Sequence, residues 1–317
     1  FPYAKWQQTG AYLAIGVLAL WLGRSYIFNV IKLAWKGEPT GNEPMNYRTA
    51  LLGIVLGFAL LIIFGYQIGI SVWVGILFFG IYYILSISVT RMRAELGPLV
   101  HELYYSNSDQ VMTALLGTRR IPASSLTSIS MFWWMSRSQN SHVMPHQLEA
   151  YKMAERTDID TRKLWIIMLI SAVLGAFFCS WTVLDTSYRH GADGGFSLEA
   201  YGRLQLWLTN PRTIDIPSSI FMGVGFAFSV FLMYMKRRFL WWQFHPIGYA
   251  VTQGDWAITF IWFPIFISWL LKLSILKYGS IKMHRKAVPI FLGLTLGDFV
   301  IGAIWGLIGL GSGLPVY

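Results

Sequence analysis

Ionisable side chains inside apolar stretches are the residues of this sequence that point most directly to chemistry. Asp298 lies near the middle of the apolar residues 288–311. His245 stands beside the helix-breaking Pro246 in an aromatic setting, and Asp255 closes the same element. An ionised carboxylate at the centre of a bilayer costs about 2.5–3.5 kcal/mol on insertion scales, so such an acid usually belongs to an ion, proton or substrate path. We therefore predict that Asp298, His245 and Asp255 line one cavity, with Asp298 as the proton-linked acid.

Each of these three residues also has a structural interpretation, which the sequence leaves open. Asp298 would then hydrogen-bond to a neighbouring helix, and His245 would lie at the membrane interface. Asp255 would cap the amino terminus of the helix that begins at Trp256, because aspartate is a favoured residue at that position.

A second charged group follows the apolar residues 70–90. Arg91, Arg93 and Glu95 lie together at the end of this stretch. Arginine binds carboxylates and phosphates through two parallel hydrogen bonds, so this group predicts a gate or a contact with an anion. Anchoring of the two arginines at the cytoplasmic membrane face is the alternative.

The histidines of residues 142–149 do not form a convincing metal site. His142 and His146 are four apart and Glu149 follows, which would suit a metal on one helical face. Pro145, however, favours the first turn of a helix and leaves His142 outside it. The sequence also lacks a phosphate loop and a nucleophile elbow. We predict no metal, no cofactor and no ATP-driven transport by this chain alone.

Glycines recur four apart around Asp298, as Gly293 with Gly297 and as Gly302 with Gly306. Small residues at this spacing let helix backbones approach closely, so these glycines predict helix packing. A glycine-dense helix end can also unwind and expose its carbonyl groups to a ligand, as in transporters.

The elements that must position these residues are transmembrane helices. Of the 317 residues, 55% are apolar and 13% are charged, whereas about 25% of the residues of a soluble domain are charged. About 20 apolar residues cross the hydrocarbon of a bilayer. The sequence therefore predicts an all-α polytopic transmembrane helical bundle, one membrane domain over residues 1–317. Its six spans are residues 10–22 (extended at one end), 50–69, 70–90, 164–184, 216–235 and 288–311.

Residues 239–271 form a broken apolar stretch. Residues 239–251 and 256–271 are separated by a polar linker and interrupted by Pro246 and Pro264. Such segments are typical of re-entrant or discontinuous helices, whose free backbone groups must face protein or water. Two ordinary spans with proline kinks are the alternative.

The net charge of +10 indicates lysine and arginine beside cytoplasmic membrane faces, not binding to nucleic acid. The lipid bilayer is the predicted partner, together with a possible oligomer. We predict an integral protein of a bacterial inner membrane whose cytoplasmic loops are residues 23–49, 91–163, 236–238 and 272–286.

Residues 91–163 are the longest stretch outside the predicted spans. They predict a cytoplasmic or interfacial helical insertion that ends in a helix over residues 145–156. The chain begins with Phe1 and without a basic segment before a short apolar one, so it does not open with a signal peptide. We expect it to be the downstream part of a longer polypeptide.

Several motifs resemble an uncharacterised family of bacterial polytopic membrane proteins. The similar stretches are FPY at residues 1–3, QTGAY at 8–12, RMRAELGP at 91–98, MPHQLEA at 144–150, HPIGY at 245–249 and FLGLTLGD at 291–298. The resemblance implies a polytopic membrane architecture. It also implies a longer chain, so the upstream part of the same polypeptide, or a partner membrane subunit, is expected to complete the protein.

A fainter similarity reaches the oligopeptide transporter superfamily. It rests on Gly293, Gly297 and Asp298, followed by Gly302. The resemblance implies proton-coupled uptake of a peptide or a metal chelate. The asparagine-proline-glycine motif common in that superfamily is not found in this sequence.

The intramembrane acid, the broken apolar stretch and the density of glycine together predict secondary transport of a small solute, and the acid would allow coupling to protons. A non-transporting membrane subunit that organises a larger complex is one alternative. A membrane-embedded enzyme acting on lipid-linked substrates, with His245 or His146 essential, is the other. We expect that the chain is not an enzyme.

Overall fold

The computed structural model describes residues 3–37, 43–97, 103, 106–139, 142–191, 195–252 and 256–312. These residues form twelve α-helices and one short 3-10 turn, with no strand among them, which confirms the predicted all-α bundle. The six long helices are α1 (Ala4–Lys36), α2 (Tyr47–Gln67), α3 (Val72–Leu96), α8 (Thr161–His190), α10 (Ile216–Arg238) and α12 (Trp256–Ser312). The shorter ones are α4 (Ser108–Leu116), α5 (Ala123–Met131), α6 (Trp133–Ser136), α7 (Val143–Arg156), α9 (Gly195–Thr209) and α11 (Pro246–Thr252).

All six long helices are long and apolar enough to cross a membrane. In α8, none of the residues in the most apolar window is buried, and large side chains such as Trp181 are mostly exposed. Apolar surface on this scale requires lipid or another apolar partner, because water-soluble monomers expose only small apolar patches. The protein is therefore an integral membrane protein.

The chain divides into two compact units, Phe1–Ile258 and Thr259–Tyr317, where the sequence predicts one membrane domain. The second unit consists largely of α12, which is too long for one crossing. This helix has a break at Ser280, whose φ of 66° and ψ of 173° are not helical. The break separates the predicted piece 256–271 from the predicted span 288–311.

Helices α1, α3 and α10 form the core of the first unit and run in the same direction. Leu13, Ile81 and Met222 pack in one cluster near the starts of these helices. Leu22, Glu95 and Met233 line one cavity further along the same three helices. We call the two ends of this core the amino end, where the three helices start, and the basic end, where Arg91, Arg93 and residues 236–238 lie.

Two glycines bring α1 and α10 into backbone contact. A β-carbon at Gly10 would collide with the carbonyl group of Met222, and one at Gly225 would collide with the carbonyl group of Gln7. This is the close approach that small residues permit between membrane helices. The sequence predicts the same role for Gly293, Gly297, Gly302 and Gly306. A β-carbon at any of these four would meet no described atom within 4 Å, so their role in helix packing stays a prediction.

The segment between α3 and α8 contacts both ends of the core. In α5, Ser128 donates a hydrogen bond to the carbonyl oxygen of Ile68, at the amino end. In α7, Glu149 pairs with Arg93, at the basic end. The sequence predicts that residues 91–163 form an insertion at the cytoplasmic face. In the structure the described helices of this segment reach both ends of the core, and the membrane face on which they lie stays a prediction.

Between α3 and α4, the described residues Leu103 and Ser106 are buried but not helical. Leu103 packs with Leu85, Val89 and other residues of the core. Ser106 is also buried, and its hydroxyl lies 2.9 Å from the Thr9 hydroxyl of α1. Irregular backbone is tolerated at membrane depth only where protein or a water-filled cavity surrounds it. Burial between helices satisfies that condition here.

In the predicted broken stretch, residues 239–271, only part of the first apolar piece is helical. Residues 239–245 are not helical, and the following α11 has only seven residues. Ile247 and Ala250 of α11 pack in the core of the first unit. The first piece is thus a short buried helix and not a span, while the second piece begins the long α12.

The contact between α1 and α10 can be tested with one substitution at the contact and one control on the same helix. Gly225→Ala places a methyl group against the backbone of α1 and should lower the free energy of unfolding by about 1–3 kcal/mol, the usual cost of overpacking. Gly223→Ala on the same helix meets no described atom within 4 Å. It should leave stability unchanged or raise it slightly through helix propensity. Unfolding of the detergent-solubilised protein would measure both, and equal effects would contradict the contact.

Candidate functional site

Asp109 and Arg203 form an ion pair inside the first unit. Asp109 lies in the first turn of α4, and its side chain is 2% exposed, while Arg203 of α9 is 21% exposed. Aspartate near a helix amino terminus is stabilised by the helix dipole. The pair is incompletely bonded, because Asp109 Oδ1 and Arg203 Nη1 have no hydrogen-bond partner among the described residues.

Two tryptophans hold the Arg203 guanidinium in place. Its central carbon lies 3.9 Å from the ring centroid of Trp133 and 5.1 Å from that of Trp207. Stacking on aromatic faces suits the planar guanidinium group and fixes its orientation. Burial lowers the pKa of Arg203 to about 10, so the side chain still carries its charge at neutral pH.

A cavity of about 600 Å³ at the amino end reaches Arg203. We call it the amino cavity. Its basic side chains are Lys5, Arg203 and Arg212, and its acid is Asp215. The Asp215 carboxylate caps α10, because it accepts hydrogen bonds from the amide and the hydroxyl of Ser218. Most of the remaining lining is polar or aromatic (Gln110, Thr113, Thr118, Asn210, Thr213, Tyr3, Trp6 and Trp207), and the rest is aliphatic (Ala4, Ala114 and Leu206). The amino cavity thus carries an excess of positive charge.

A layer of buried hydrogen bonds lies beyond this cavity. Thr9 contacts Ser106 as described above, and the Tyr249 hydroxyl donates to Gln7 Oε1 at 2.9 Å. The Ser88 hydroxyl donates to the Tyr12 carbonyl oxygen at 2.6 Å. We call these three contacts the polar layer. It joins α1 to α3, to α11 and to the irregular segment before α4.

A second cavity of about 330 Å³ lies at the basic end. We call it the basic cavity. It brings together three of the residues that the sequence singles out: Arg91 pairs with Glu95 at 2.6 Å, and His245 Nε2 lies 3.3 Å from the other Glu95 oxygen. Lys236 and Arg237 of α10 complete its charged lining. Arg93 lies elsewhere, in its pair with Glu149.

The environment of His245 favours the neutral imidazole. Burial lowers its pKa, as do the positive charges of Lys236 and Arg91, while the Glu95 carboxylate opposes them. His245 also accepts a hydrogen bond at Nδ1 from the amide of Ile247, which caps α11. A ring nitrogen that accepts cannot carry a proton, so this bond selects a form of the ring with Nδ1 free.

Two further predicted site residues are Asp298 and Asp255. Asp298 belongs to the second unit, where its side chain is exposed. Asp255 lies outside the described residues. The shared cavity and the proton-linked role of Asp298 therefore stay predictions. No group of three potential metal ligands occurs in the described part of the chain.

The Asp109–Arg203 pair is the feature that sequence reasoning missed. Both residues lie in stretches that their charges suggest are outside the membrane, and 94 positions separate them. The one local signal is the polar run of residues 106–110 between two apolar stretches. Ser106 and Asn107 precede α4, and residues 108–110 form its first turn.

Comparison with known proteins identifies a family but no activity. Residues 1–317 match the model of DUF6785, a family of unknown function. No curated protein and no solved structure matches the chain. These comparisons give no support to the fainter similarity to oligopeptide transporters or to a bacterial origin.

The buried ion pair predicts a strong asymmetry between single and double variants. Asp109→Asn should lower the free energy of unfolding by about 3–5 kcal/mol, because it leaves a buried guanidinium without its counter-charge. Combining it with Arg203→Gln should recover part of that loss. Denaturation in mixed detergent micelles would measure these changes. Glu155→Gln removes the exposed pair with Lys152 and should change nothing measurable. Additive effects of the two buried substitutions would contradict the pairing.

His245 predicts a pH dependence with a definite sign. Since its folded pKa lies below the unfolded value, unfolding takes up a proton below about pH 6.5. Stability is therefore fully present above that pH and falls as the pH drops towards the folded pKa. His245→Gln should remove this part of the pH dependence between pH 7 and 5. His284→Gln, in the second unit, is the control and should leave the profile unchanged. A wild-type profile retained by His245→Gln would exclude His245 as its source.

Proposed function

We propose a transport function for this chain, which belongs to the family of unknown function DUF6785. In this proposal it is a secondary transporter that moves a small polar solute between the amino cavity and the basic cavity. The observation that carries the proposal is the pair of charged cavities at opposite ends of one helical core, with a closed polar layer between them.

The separation of the cavities fits a membrane. On α1, Lys5 lines the amino cavity and Leu22 lines the basic cavity. Seventeen residues of α-helix at 1.5 Å each span about 26 Å, close to the roughly 30 Å of bilayer hydrocarbon. On α10, Ser218 and Lys236 give a similar interval. A solute would therefore exchange one membrane face for the other by passing the polar layer.

The polar layer has the construction that alternating access requires. Transporter sites near the midplane are formed where helices are discontinuous, because their free backbone groups and polar side chains bind solute and coupling ions. Here the irregular chain at Leu103 and Ser106 and the short α11 meet α1 at this level. The contacts across the layer are individual neutral hydrogen bonds, each worth about 0.5–1.5 kcal/mol. Such a layer can open without great cost.

We assign the basic end to the cytoplasm. Arg91, Arg93 and residues 236–238 lie there, and lysine and arginine are enriched in cytoplasmic loops. In this assignment the amino cavity opens to the outside of a cytoplasmic membrane, and Arg91, Glu95 and His245 form the inner gate. Residues 91–163 are then not all cytoplasmic, since α5 lies at the outer face.

The organising-subunit alternative has one observation in its favour. Gly293, Gly297, Gly302 and Gly306 carry open space where a β-carbon would be, as expected for a stripe that a partner helix covers. A subunit of that kind would keep the polar layer closed. Reactivity of the layer therefore separates the two functions.

Cysteine labelling tests the two cavities, because the chain has one cysteine, Cys179. In a Cys179→Ala background, Asn210→Cys in the amino cavity should react with a membrane-impermeant maleimide from the outside only. Lys236→Cys in the basic cavity should react from the cytoplasmic side only. Right-side-out and inside-out vesicles supply the two orientations. Labelling of both positions from the same side would exclude two opposed cavities.

The same background tests opening of the layer. Thr9→Cys, at a position that is fully buried, should react slowly with a small charged methanethiosulfonate from either side, because the layer alternates between the cavities. Val89→Cys is equally buried among apolar side chains and should stay unreactive. If Thr9→Cys reacts from neither side or from one side only, the protein does not alternate and the subunit alternative holds.

A further inference from the structure

We propose that the amino cavity binds a small soluble oxyanion, a carboxylate or a phosphate, at Arg203, and that Asp109 takes up a proton when it binds. This inference deepens the transport proposal and rests on it, since it names the substrate class and the coupling residue. It replaces Asp298 by Asp109 as the proton-linked acid.

A free hydrogen-bond donor of Arg203 indicates where the anion would bind. Arg203 uses Nη2 for Asp109, and its buried Nη1 has no partner among the described residues. A guanidinium binds an oxyanion best when two N–H groups point at it. Arg203 itself lines the amino cavity, so the free donor belongs to a side chain that a solute can reach. The tryptophan stacking described above holds this donor in a fixed direction.

The charges around the pair favour an anion. Lys5 comes from α1, Arg203 from α9, and Arg212 from the segment before α10. Asp215 is held by its cap on α10, and Glu199 of α9 pairs with Arg137. Between residues 72 and 90, α3 has no charged residue. With Asp109 ionised, the cavity and the pair together carry three positive and two negative charges, which leaves one net positive charge for the solute.

Proton uptake follows from the arrival of a second negative charge. The anion and the Asp109 carboxylate then share one guanidinium in a low-dielectric setting. A like charge nearby and burial both favour the neutral form of a carboxyl group, and Asp109 is the buried carboxyl group of this site. Asp109 Oδ1, which has no partner among the described residues, is the atom that accepts the proton. One proton enters with each anion and offsets one of the negative charges that the anion brings.

The coupling is reciprocal. If an anion raises the proton affinity of Asp109, a proton on Asp109 raises the affinity for the anion by the same factor. For one linked proton, the affinity changes by up to about tenfold per pH unit. Anion binding should therefore tighten as the pH falls, and carriage of both together would make the transport proton-coupled.

The test is anion binding by the purified full-length chain in neutral detergent. Succinate and inorganic phosphate are the probes, and succinamide is the uncharged analogue of succinate. Isothermal titration at pH 8, 7 and 6, in buffers of different ionisation enthalpy, gives both the affinity and the number of protons taken up. We expect one of the two anions to bind with about one proton and to tighten severalfold per pH unit. We expect succinamide not to bind.

Two variants assign the roles. Asp109→Asn should keep anion binding, lose proton uptake and lose the pH dependence. The double variant Asp109→Asn with Arg203→Gln keeps the buried charge balanced and should lose binding. Arg156→Gln, an exposed arginine of α7, should behave as the wild type.

The outcomes separate this inference from the transport proposal. Absence of anion binding, pH-independent binding, or binding retained by the double variant would overturn the anion and proton assignment. Binding of short-chain phosphatidylglycerol in place of both soluble anions would also overturn it, because the site would then hold a lipid headgroup. None of these results would change the two-sided labelling expected at Thr9→Cys, which tests the transport proposal. Conversely, anion binding with proton uptake but no labelling at Thr9→Cys would retain the site and exclude transport.

Discussion

The rest of the structure depends on one constraint: polar groups buried between apolar helices must find partners within the protein. Lipid offers no hydrogen bonds, so an unpaired backbone or side-chain group in it costs several kcal/mol. The first unit meets this constraint by packing its irregular chain against α1, α3 and α11. The glycine contacts at Gly10 and Gly225 also bring α1 and α10 into backbone contact. The polar layer then pairs the enclosed groups one by one.

The same constraint explains why the incompletely bonded groups are informative. Asp109 and Arg203 neutralise each other, yet each keeps a polar atom without a partner among the described residues. A pair of this kind is less favourable than a fully bonded one, since buried donors and acceptors lose their contact with water. Arg203 also lines the amino cavity, so the pair lies beside a space that a solute could occupy. A structural pair would gain from closing those bonds, whereas a binding site must leave them open.

Much of the fold follows from the sequence, and much of the site does not. The six long helices can be predicted because an uncharged block of about 20 apolar residues forms a transmembrane helix in lipid. The positions of α4 and α5 could not be predicted, because these helices have nine residues each and local charges suggest an exposed surface. The group at Arg91, Glu95 and His245 was partly foreseen, since its members adjoin apolar stretches. The Asp109–Arg203 pair depends on a contact across 94 positions, which no local pattern records.

The strengths of the internal contacts indicate which parts of the first unit move. Contacts across the polar layer are neutral hydrogen bonds, and water entering from either cavity can replace them at little net cost. The contacts at the two ends are ion pairs: Asp109 with Arg203, Arg137 with Glu199, Arg91 with Glu95 and Arg93 with Glu149. Only the first of these pairs is buried, and opening it without a replacement charge costs several kcal/mol. The side chains of the other three pairs are 22–42% exposed, and such a pair is worth about 0–1 kcal/mol, no more than a neutral hydrogen bond. The Asp109–Arg203 pair is therefore the contact that most resists opening, and a charged solute that exchanges with one of its partners would loosen the amino end.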